Sequence, residues 1–425
     1  FNIDLTERLK VGAQVLGKIE NRVNPALPGT DDYAEMRSSL YNLLPIWRPY
    51  ANDNPDYLNF MAGHDAARNM AAYTIDNAGE FNQIWRTVQP IFNIEYDIPI
   101  KGLKFKSLLS YYYADKNTTD FEKGWKEYTY NSTTKVYEIK YDRVDLGQTY
   151  LGKDTEHVEE LTAQTYFDFD RTFSNVHQVT ATVGLELYRR AWDRLYIYQS
   201  PANNTFITML TDSENNKVVN NALNYSTASW VFRAGYVYDQ RYIIDFSSRY
   251  DASWRFQKGS QWGFFPSVSG AWRLSEEDFF KDSEISSWLS NVKLRASYGS
   301  MGSDALSTGI YPYFAYQSGY NYDVGGTIIS PNPISNASDN MIIGSQSKGL
   351  PITNLSWIET AISNIGIELG FFDNKLTAEL DAFQRIRDGI PAYPDDVIYP
   401  LESGFPAMPQ NLNSDKTVGV DGFVK

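Results

Sequence analysis

The chain has 425 residues, 42% of them hydrophobic and 15% aromatic, with a formal net charge of −14 at pH 7 and no cysteine. The acidic balance argues against a nucleic-acid partner, whose phosphates call for Lys and Arg patches, and the missing cysteines exclude a disulfide scaffold and Cys-ligated zinc. No run of about 18 apolar residues occurs, which excludes a membrane helix, whereas a membrane-crossing β-strand needs only about 9 to 11 residues of alternating pattern.

Period-two alternation runs through the whole chain. It starts near Leu9 and, after a long polar stretch, resumes near Ile91 and again near Leu103 and Leu161. Val179, Ala181, Val183, Leu185 and Leu187 then oppose Gln178, Thr180, Thr182, Gly184 and Glu186. Trp230, Phe232, Ala234, Tyr236 and Tyr238 oppose Arg233 and Gly235, and Tyr242, Ile244, Phe246, Ser248 and Tyr250 oppose Asp245, Ser247, Arg249 and Asp251. Further alternation begins near Phe264 and Val292. Ile365, Ile367, Leu369 and Phe371 come next, and after the turn Phe372-Asp373-Asn374-Lys375 the pattern returns in Leu376, Ala378, Leu380 and Ala382, which predicts an antiparallel hairpin. These segments amount to roughly a dozen strands, many near membrane-spanning length.

The connections alternate in length. Tight links are expected near Glu7, Pro99, Arg171, Asp239 and Asp373, with a short Ser-Glu-Glu-Asp connector after Leu274; long polar links are expected over 21–81, 116–157, 192–224, 302–354 and 388–416. Segments 32–44 and 65–73 have few β-branched residues and predict helical decoration inside the first long link. A soluble sandwich has no reason to place all its long loops at one end of its hairpins, whereas an outer-membrane barrel does. A lipid-facing Arg or Lys at the bilayer midplane costs about 2 to 4 kcal/mol, so Lys104, Arg233, Arg249, Arg295 and Arg385 are expected to face the lumen or an interface. Tyr111, Tyr112, Tyr113, Tyr236 and Tyr238 are expected in aromatic girdles at the membrane boundaries.

Three stretches, "RYDASWRF", "WGFFPSVSGAWRLSEEDFF" and "LSNVKLRASYGSMGSD", resemble consecutive barrel signatures of the SusC/RagA family of TonB-dependent outer-membrane transporters. Within them stand Trp262, Phe264, Phe265, Pro266, Trp272 and Glu277; downstream, "NLSWIETAISNIGIELGFFDNKLTAELDAFQRIRDGI" resembles a later hairpin of the family, with Trp357, Asn364, Gly366 and Phe371 at the matching spacing. The match is strongest over 238–389, while "LTERLKVGAQVLG" near the start is similar to an earlier strand pair. Ala252 and Trp254 stand where the family usually has small residues, and Ile358 replaces the Glu that commonly follows the motif Trp.

The resemblance implies an all-β fold: a transmembrane antiparallel β-barrel of about 22 strands with long extracellular loops, of which about half are present here. An open half-barrel would leave unpaired edges in hydrocarbon. Residues 1–425 are therefore expected to be a central barrel segment of a longer polypeptide, with the plug, the TonB box and the closing strands elsewhere. The resemblance further implies active import of bulky nutrients, usually oligosaccharides and sometimes peptides, across the bacterial outer membrane. The implied partners are a SusD-like surface lipoprotein, the TonB–ExbB–ExbD complex acting through the plug, the lipid bilayer, and a second transporter–lipoprotein pair in a dimer.

Sugar binding calls for aromatic platforms flanked by hydrogen-bonding groups. The long-link segment "LLPIWRPYANDNPDYLNF" supplies Trp47, Tyr50, Asn52, Asp53, Asn54 and Tyr57; Tyr320 and Tyr322 form a second candidate patch. The bland alternative is that these rings fill the loop's own core or touch the lipoprotein. The carboxylates Glu276, Glu277 and Asp278 read as solvated turn residues rather than a glycosidase pair, which needs a defined separation across a cleft. No metal-ligand spacing or cofactor motif occurs: His64, His157 and His177 are scattered, and the segments at 53–56 and 212–216 lack a full calcium-loop pattern and read as turns. The sequons at Asn117, Asn131 and Asn336 follow from polar loop composition. A passive porin and a soluble β-rich carbohydrate-binding protein remain as other function classes; a plug upstream would eliminate the first and a need for detergent the second.

Overall fold

A computed structural model describes residues 1–27, 36–37, 40–41, 43–61, 69–147, 149–201, 204, 217–304, 314–328, 341–394 and 407–425, with side chains described at 314–321, 345 and 347–394 in the long link over 302–354 and the strands that follow it. In chain order the strands are β1 (Asn2–Asp4), β2 (Leu9–Pro25), β3 (Gly79–Asp97), β4 (Leu103–Glu122), β5 (Lys126–Asn131), β6 (Val136–Asp142), β7 (Tyr150–Phe173), β8 (His177–Gln199) and β9 (Lys217–Tyr238). They continue with β10 (Tyr242–Ala252), β11 (Trp262–Arg273), β12 (Leu289–Ser303), β13 (Tyr320–Ile328), β14 (Met341–Ser347), β15 (Ile358–Phe371), β16 (Leu376–Ala392) and β17 (Gln410–Val424). Thirteen of them form one antiparallel sheet in strict chain order from β1 to β17, and the pairs β5–β6 and β13–β14 are hairpins inserted into long connections.

The turns at one end follow from residues that tolerate the left-handed backbone region. Ser174 and Asn175 have φ of 50° and 60°, Asp239 and Gln240 have 45° and 57°, and in each case the amide of the residue that follows them closes the turn onto the carbonyl of the residue that precedes them. Positive φ at both central positions is the primed geometry whose twist matches that of paired strands. The hairpin at Phe372–Lys375 lies where the sequence places it. The expected turn at Arg171 falls slightly later, because β7 runs on to Phe173.

The long connections are shorter than the sequence suggests. β4 continues to Glu122, β7 begins at Tyr150, β8 continues to Gln199 and β9 begins at Lys217, so much of what reads as loop is strand. The cause is physical: beyond the apolar band both faces meet water, and the alternation that marks a half-buried strand disappears although the ladder continues. Of the two expected helices, 70–72 form a single 3-10 turn capped by the Asn69 side chain, which accepts from the Ala71 amide at 3.0 Å. Around 32–44 only 36–37 and 40–41 are helical among the described residues.

Cross-strand register separates the two faces. One row runs Leu185, Trp230, Tyr250, Phe264 across β8 to β11, and another runs Leu294, Ile367, Leu380 across β12, β15 and β16. The opposite face carries Arg295, Gly366, Asp381 and Asp421 in one row. On β8 the outward positions are apolar from Val179 to Leu187, after which Arg189 appears. That is about the 9 to 11 residues a tilted strand needs to cross hydrocarbon. Lys104, Arg233, Arg249, Arg295 and Arg385 all occupy the polar face, and each has a partner there: Glu95, Asp245, Glu186, Glu368 and Thr417 respectively. Tyr111 and Tyr113 face outward, but the pleat sends Tyr112 inward, so it is not a girdle residue.

Rings collect at the edges of the apolar band. At the short-turn edge His177, Tyr238, Tyr242 and Trp272 form a chain with centroid separations of 5.1, 6.3 and 6.4 Å; at the other edge Tyr250 stacks on Trp262 at 4.6 Å. Aromatic cross-strand pairs of this kind contribute roughly 0.2 to 1 kcal/mol each.

Candidate functional site

The inner face above the apolar band encloses a cavity of about 740 Å³ bounded by β2, β3, β4, β7 and β8 and by the chain that follows β6. Its wall is built by alternation. On β8, Arg190, Trp192, Arg194, Tyr196 and Tyr198 all point inward, and on β7 so do Tyr150, Asp154 and Glu156. Arg194 forms a two-pronged pair with Asp154 at 2.7 and 2.9 Å, and its guanidinium lies 5.3 Å from the centre of the Tyr196 ring. Tyr196 stacks on Tyr198 at 5.1 Å, and Tyr150 adds a third ring 5.9 Å from Tyr198. Lys116 meets Glu156 at 3.1 Å, while the Trp192 indole donates to the other oxygen of the same carboxylate at 2.7 Å. Arg22 lies over Phe81 at 4.8 Å.

The β5–β6 insertion leads from the end of β4 into the chain that borders this cavity. Buried Arg143 pairs with Glu122 at 3.3 Å and stacks over Trp125 at 4.4 Å, which anchors the insertion to the end of β4. Asn204 bridges across, exchanging hydrogen bonds with the Gly124 amide at 2.8 Å and its carbonyl at 2.7 Å. Burial raises the Asp142 carboxyl, but the Lys126 ammonium at 2.8 Å and the Val144 and Asp145 amides outweigh it and hold the group below its ordinary value. The resulting surface combines flat rings with fixed donors and acceptors, so it can take a polar ligand by stacking and hydrogen bonding.

The residues expected to bind substrate lie beside this insertion. Tyr50 pairs with Leu58 across a tight reversal in which Ala51–Asp53 form a 3-10 turn. Asp53 is held by Arg48, and the Asn54 side chain accepts from the Asp56 amide at 3.1 Å, so both shape the turn. Asn52 is exposed and Trp47 is half-buried. Tyr57 stacks face to face on Tyr137 at 3.8 Å and meets Tyr128 edge-on at 5.0 Å, docking the segment on β5 and β6. Tyr320 opens β13 and is exposed, with no recorded bond to the 47–57 segment among the described residues; the side chain of Tyr322 lies outside them. The inward rings of β7 and β8 escaped the sequence reading because 192–224 reads as a loop. The stretch "RRAWDRLYIYQ" still keeps Trp192, Tyr196 and Tyr198 at positions of one parity, and that spacing was the available signal.

The family-motif residues have structural work. Glu277 accepts from the Tyr242 hydroxyl at 2.6 Å and the Trp272 indole at 2.9 Å with one oxygen, and from Arg241 at 3.1 Å with the other. It therefore ties the connector after β11 to the aromatic edge and to the neighbouring β9–β10 turn. Those donors hold its carboxyl below the ordinary value, the Tyr242 bond foremost. Glu276 pairs with Lys281, and Asp278 with Arg241. Trp262 and Phe264 face outward. Buried Phe265 meets Trp357 edge-on at 5.2 Å, and Trp357 packs with Phe256 and Ile358 in a core above the sheet, donating to the Gln261 carbonyl at 3.2 Å. Ile358 is buried in that core, which accounts for an apolar residue where the family commonly has Glu. Pro266 lies just beyond the β11–β12 ladder, which starts at Ser267, so its missing donor is tolerated. Asn364 and Gly366 face inward.

His157 bridges Asp115 and Asp193 at 3.2 Å each, and His177 meets the Tyr236 hydroxyl at 2.8 Å. Asn117 lies within β4 and donates to Asp115 at 2.8 Å, while Asn131 turns the β5–β6 hairpin by accepting from the Thr133 and Thr134 amides. His64, Asn336 and segment 212–216 lie outside the described residues.

A sheet of long antiparallel strands, apolar on one face, ion-paired on the other and ringed at its edges by aromatics, defines a large membrane β-barrel wall. The chain belongs to the TonB-dependent receptor-like β-barrel family, whose model matches residues 29–423, and it is of the SusC/RagA type, an outer-membrane protein. It is 26% identical over 327 residues to TonB-dependent receptor P39 of Formosa agariphila, covering 75% of this chain and 27% of that protein. It is 28% identical over 204 residues to TonB-dependent receptor SusC of Bacteroides thetaiotaomicron, covering 47% of this chain and 18% of SusC. The solved RagAB peptide importer in its closed-closed state matches with a TM-score of 0.72 at 22% identity, covering all of this chain and 43% of that one. The chain thus spans well under half the length of these relatives. Membership of an outer-membrane family removes the soluble carbohydrate-binding alternative.

Proposed function

We propose that this chain forms part of the wall and mouth of a TonB-dependent outer-membrane importer of bulky polar nutrients, with oligosaccharides as its cargo. The observation that carries the reading is the cavity at the long-loop end, lined by the Tyr150 and Tyr196 rings, both packed on Tyr198, beside side chains already fixed in ion pairs. Rings offer sugars an apolar face, and fixed donors and acceptors satisfy hydroxyls without the desolvation cost of an unpaired charge. Trp47, Tyr50 and Asn52 on the segment packed against β5 and β6 extend the same chemistry, and Tyr320 and Tyr322 supply a second patch. On this reading a SusD-like lipoprotein caps the mouth, the TonB–ExbB–ExbD complex drives import through a plug, and two transporter–lipoprotein pairs associate. The match to a TonB-dependent receptor-like family favours this reading over a passive porin.

Peptide import by the same machinery is the second reading. The Arg194–Asp154 and Arg143–Glu122 pairs favour it, since peptide termini can exchange into such pairs. Calorimetric titration of the purified full-length transporter with its lipoprotein, against neutral oligosaccharides and short peptides, separates the two. Oligosaccharide binding is expected to weaken at least about tenfold in Tyr196→Ala with Tyr198→Ala, on the scale of lost stacking contacts. Binding of peptides alone would overturn the sugar reading. Unchanged binding in that variant, with a loss in Trp47→Ala with Tyr50→Ala, would move the site to the 47–57 segment.

A further inference from the structure

On the outward face of β7 to β11, at the long-loop edge of the apolar band, lies a recess of about 480 Å³. Register explains its shape. Ala163, Leu187, Ala228, Ala252 and Trp262 share one row across five strands, so methyl side chains flank Leu187 and leave hollows between it and the Trp262 ring. One step further toward the loops the next row is Leu161, Arg189, Ser226.

Arg189 is unlike the inward-facing arginines of this wall. It is exposed, it faces outward, and among the described residues it has no ion pair, hydrogen bond or ring contact. Its cross-strand neighbours are Leu161 and Ser226, neither of which carries charge. The closest acid on the same face, Glu159, engages the Tyr111 hydroxyl. A lone guanidinium above an apolar hollow, at the depth where hydrocarbon gives way to headgroups, is complementary to one kind of occupant: a lipid with an anionic phosphate on top and acyl chain below. Arg presents a planar fork that matches phosphate oxygens, and hydrocarbon fills the hollows that the alanines leave.

We propose that this recess is a binding site for a phosphorylated lipid of the outer leaflet, with Arg189 and Ser226 holding the phosphate and the Ala163–Ala228–Ala252 row receiving an acyl chain. The site is separate from the lumen and independent of what the transporter carries. It fixes one lipid against the barrel wall at the level of Trp262.

The test uses the full-length protein purified from outer membranes in a mild detergent. Native mass spectrometry counts retained lipid, followed by delipidation and re-addition of phosphorylated lipid A, dephosphorylated lipid A, or inorganic phosphate. Wild type is expected to retain one phosphorylated lipid. Arg189→Gln and Ala228→Leu are each expected to reduce its retention about tenfold, one by removing the charge and the other by filling the hollow. Arg233→Gln on the inner face serves as a matched control and is expected to leave retention unchanged. Circular dichroism and heat-modifiable gel mobility confirm that each variant is folded; the two site variants act by different means, so misfolding of one leaves the other informative. Equal retention in wild type, Arg189→Gln and Ala228→Leu would overturn the proposal, as would equal binding of the dephosphorylated lipid. Binding of inorganic phosphate as tight as that of the lipid would also overturn it, since the acyl chain would then contribute nothing.

Discussion

The two halves of β8 follow one backbone rule under different solvents. From Val179 to Leu187 the outward side chains are apolar and the inward ones polar or small; from Arg189 to Gln199 the outward set includes Arg189 and Asp193 while the inward set holds Trp192, Tyr196 and Tyr198. The same ladder of backbone bonds runs through both. Lipid imposes a pattern on the first half, and water on both faces leaves the second half free to carry rings and ion pairs inward.

The largest test of that contrast is a charge on the outward face. Leu185→Arg is expected to destabilise the barrel by about 2 to 4 kcal/mol in a bilayer, while Leu195→Arg, on the same strand and face but above the band, stays within about 0.5 kcal/mol. Urea titration of the full-length protein refolded in lipid vesicles measures both, and equal penalties would erase the distinction. A smaller effect is expected on the inner face. At Gly366 an added Cβ would collide with the Arg295–Asp381 pair that crosses it, so Gly366→Val is expected to cost about 1 to 3 kcal/mol by the same titration. Gly17 faces outward with nothing within 4 Å of such a Cβ, and Gly17→Ala is expected to be neutral or slightly stabilising.

The smallest expected effect concerns pH at the short-turn end. Because the Glu277 carboxyl is held below its ordinary value of 4.5, its contribution is complete above about pH 4.5 and fades as pH falls through the depressed folded-state value. Thermal midpoints of wild type should therefore converge on those of Glu277→Gln as the solution is acidified from pH 7 to 3. A gap between the two that stays constant over that range would show that Glu277 acts through shape rather than charge.

These contrasts also explain what was legible in the sequence. The antiparallel strand order, the short and long ends and the inward placement of Arg295 could be read because hydrocarbon tolerates few exceptions on one face. The turn at Phe372–Lys375 was legible because Asp and Asn at adjacent positions permit positive φ. Tyr112 was misread because three successive tyrosines mask the pleat, which places the middle one inward. The cavity was missed for the opposite reason: with polar residues on both faces, Arg190 to Tyr198 carry a strand's geometry without a strand's hydrophobic signature. The aromatic segment around Tyr57 was visible, but composition alone did not reveal that Tyr137, far along the chain, stacks on it.

The inward glycines set the gauge of the passage. Tyr166 lies flat over Gly184 and reaches Glu186, and Arg295 lies over Gly366 to reach Asp381, so long side chains run along the wall instead of projecting into the bore. A wall finished in this way has few snags. Anything drawn past it slides over side chains already tied down at both ends, and the clear width is governed by the backbone rather than by the rotamers of its arginines and tyrosines.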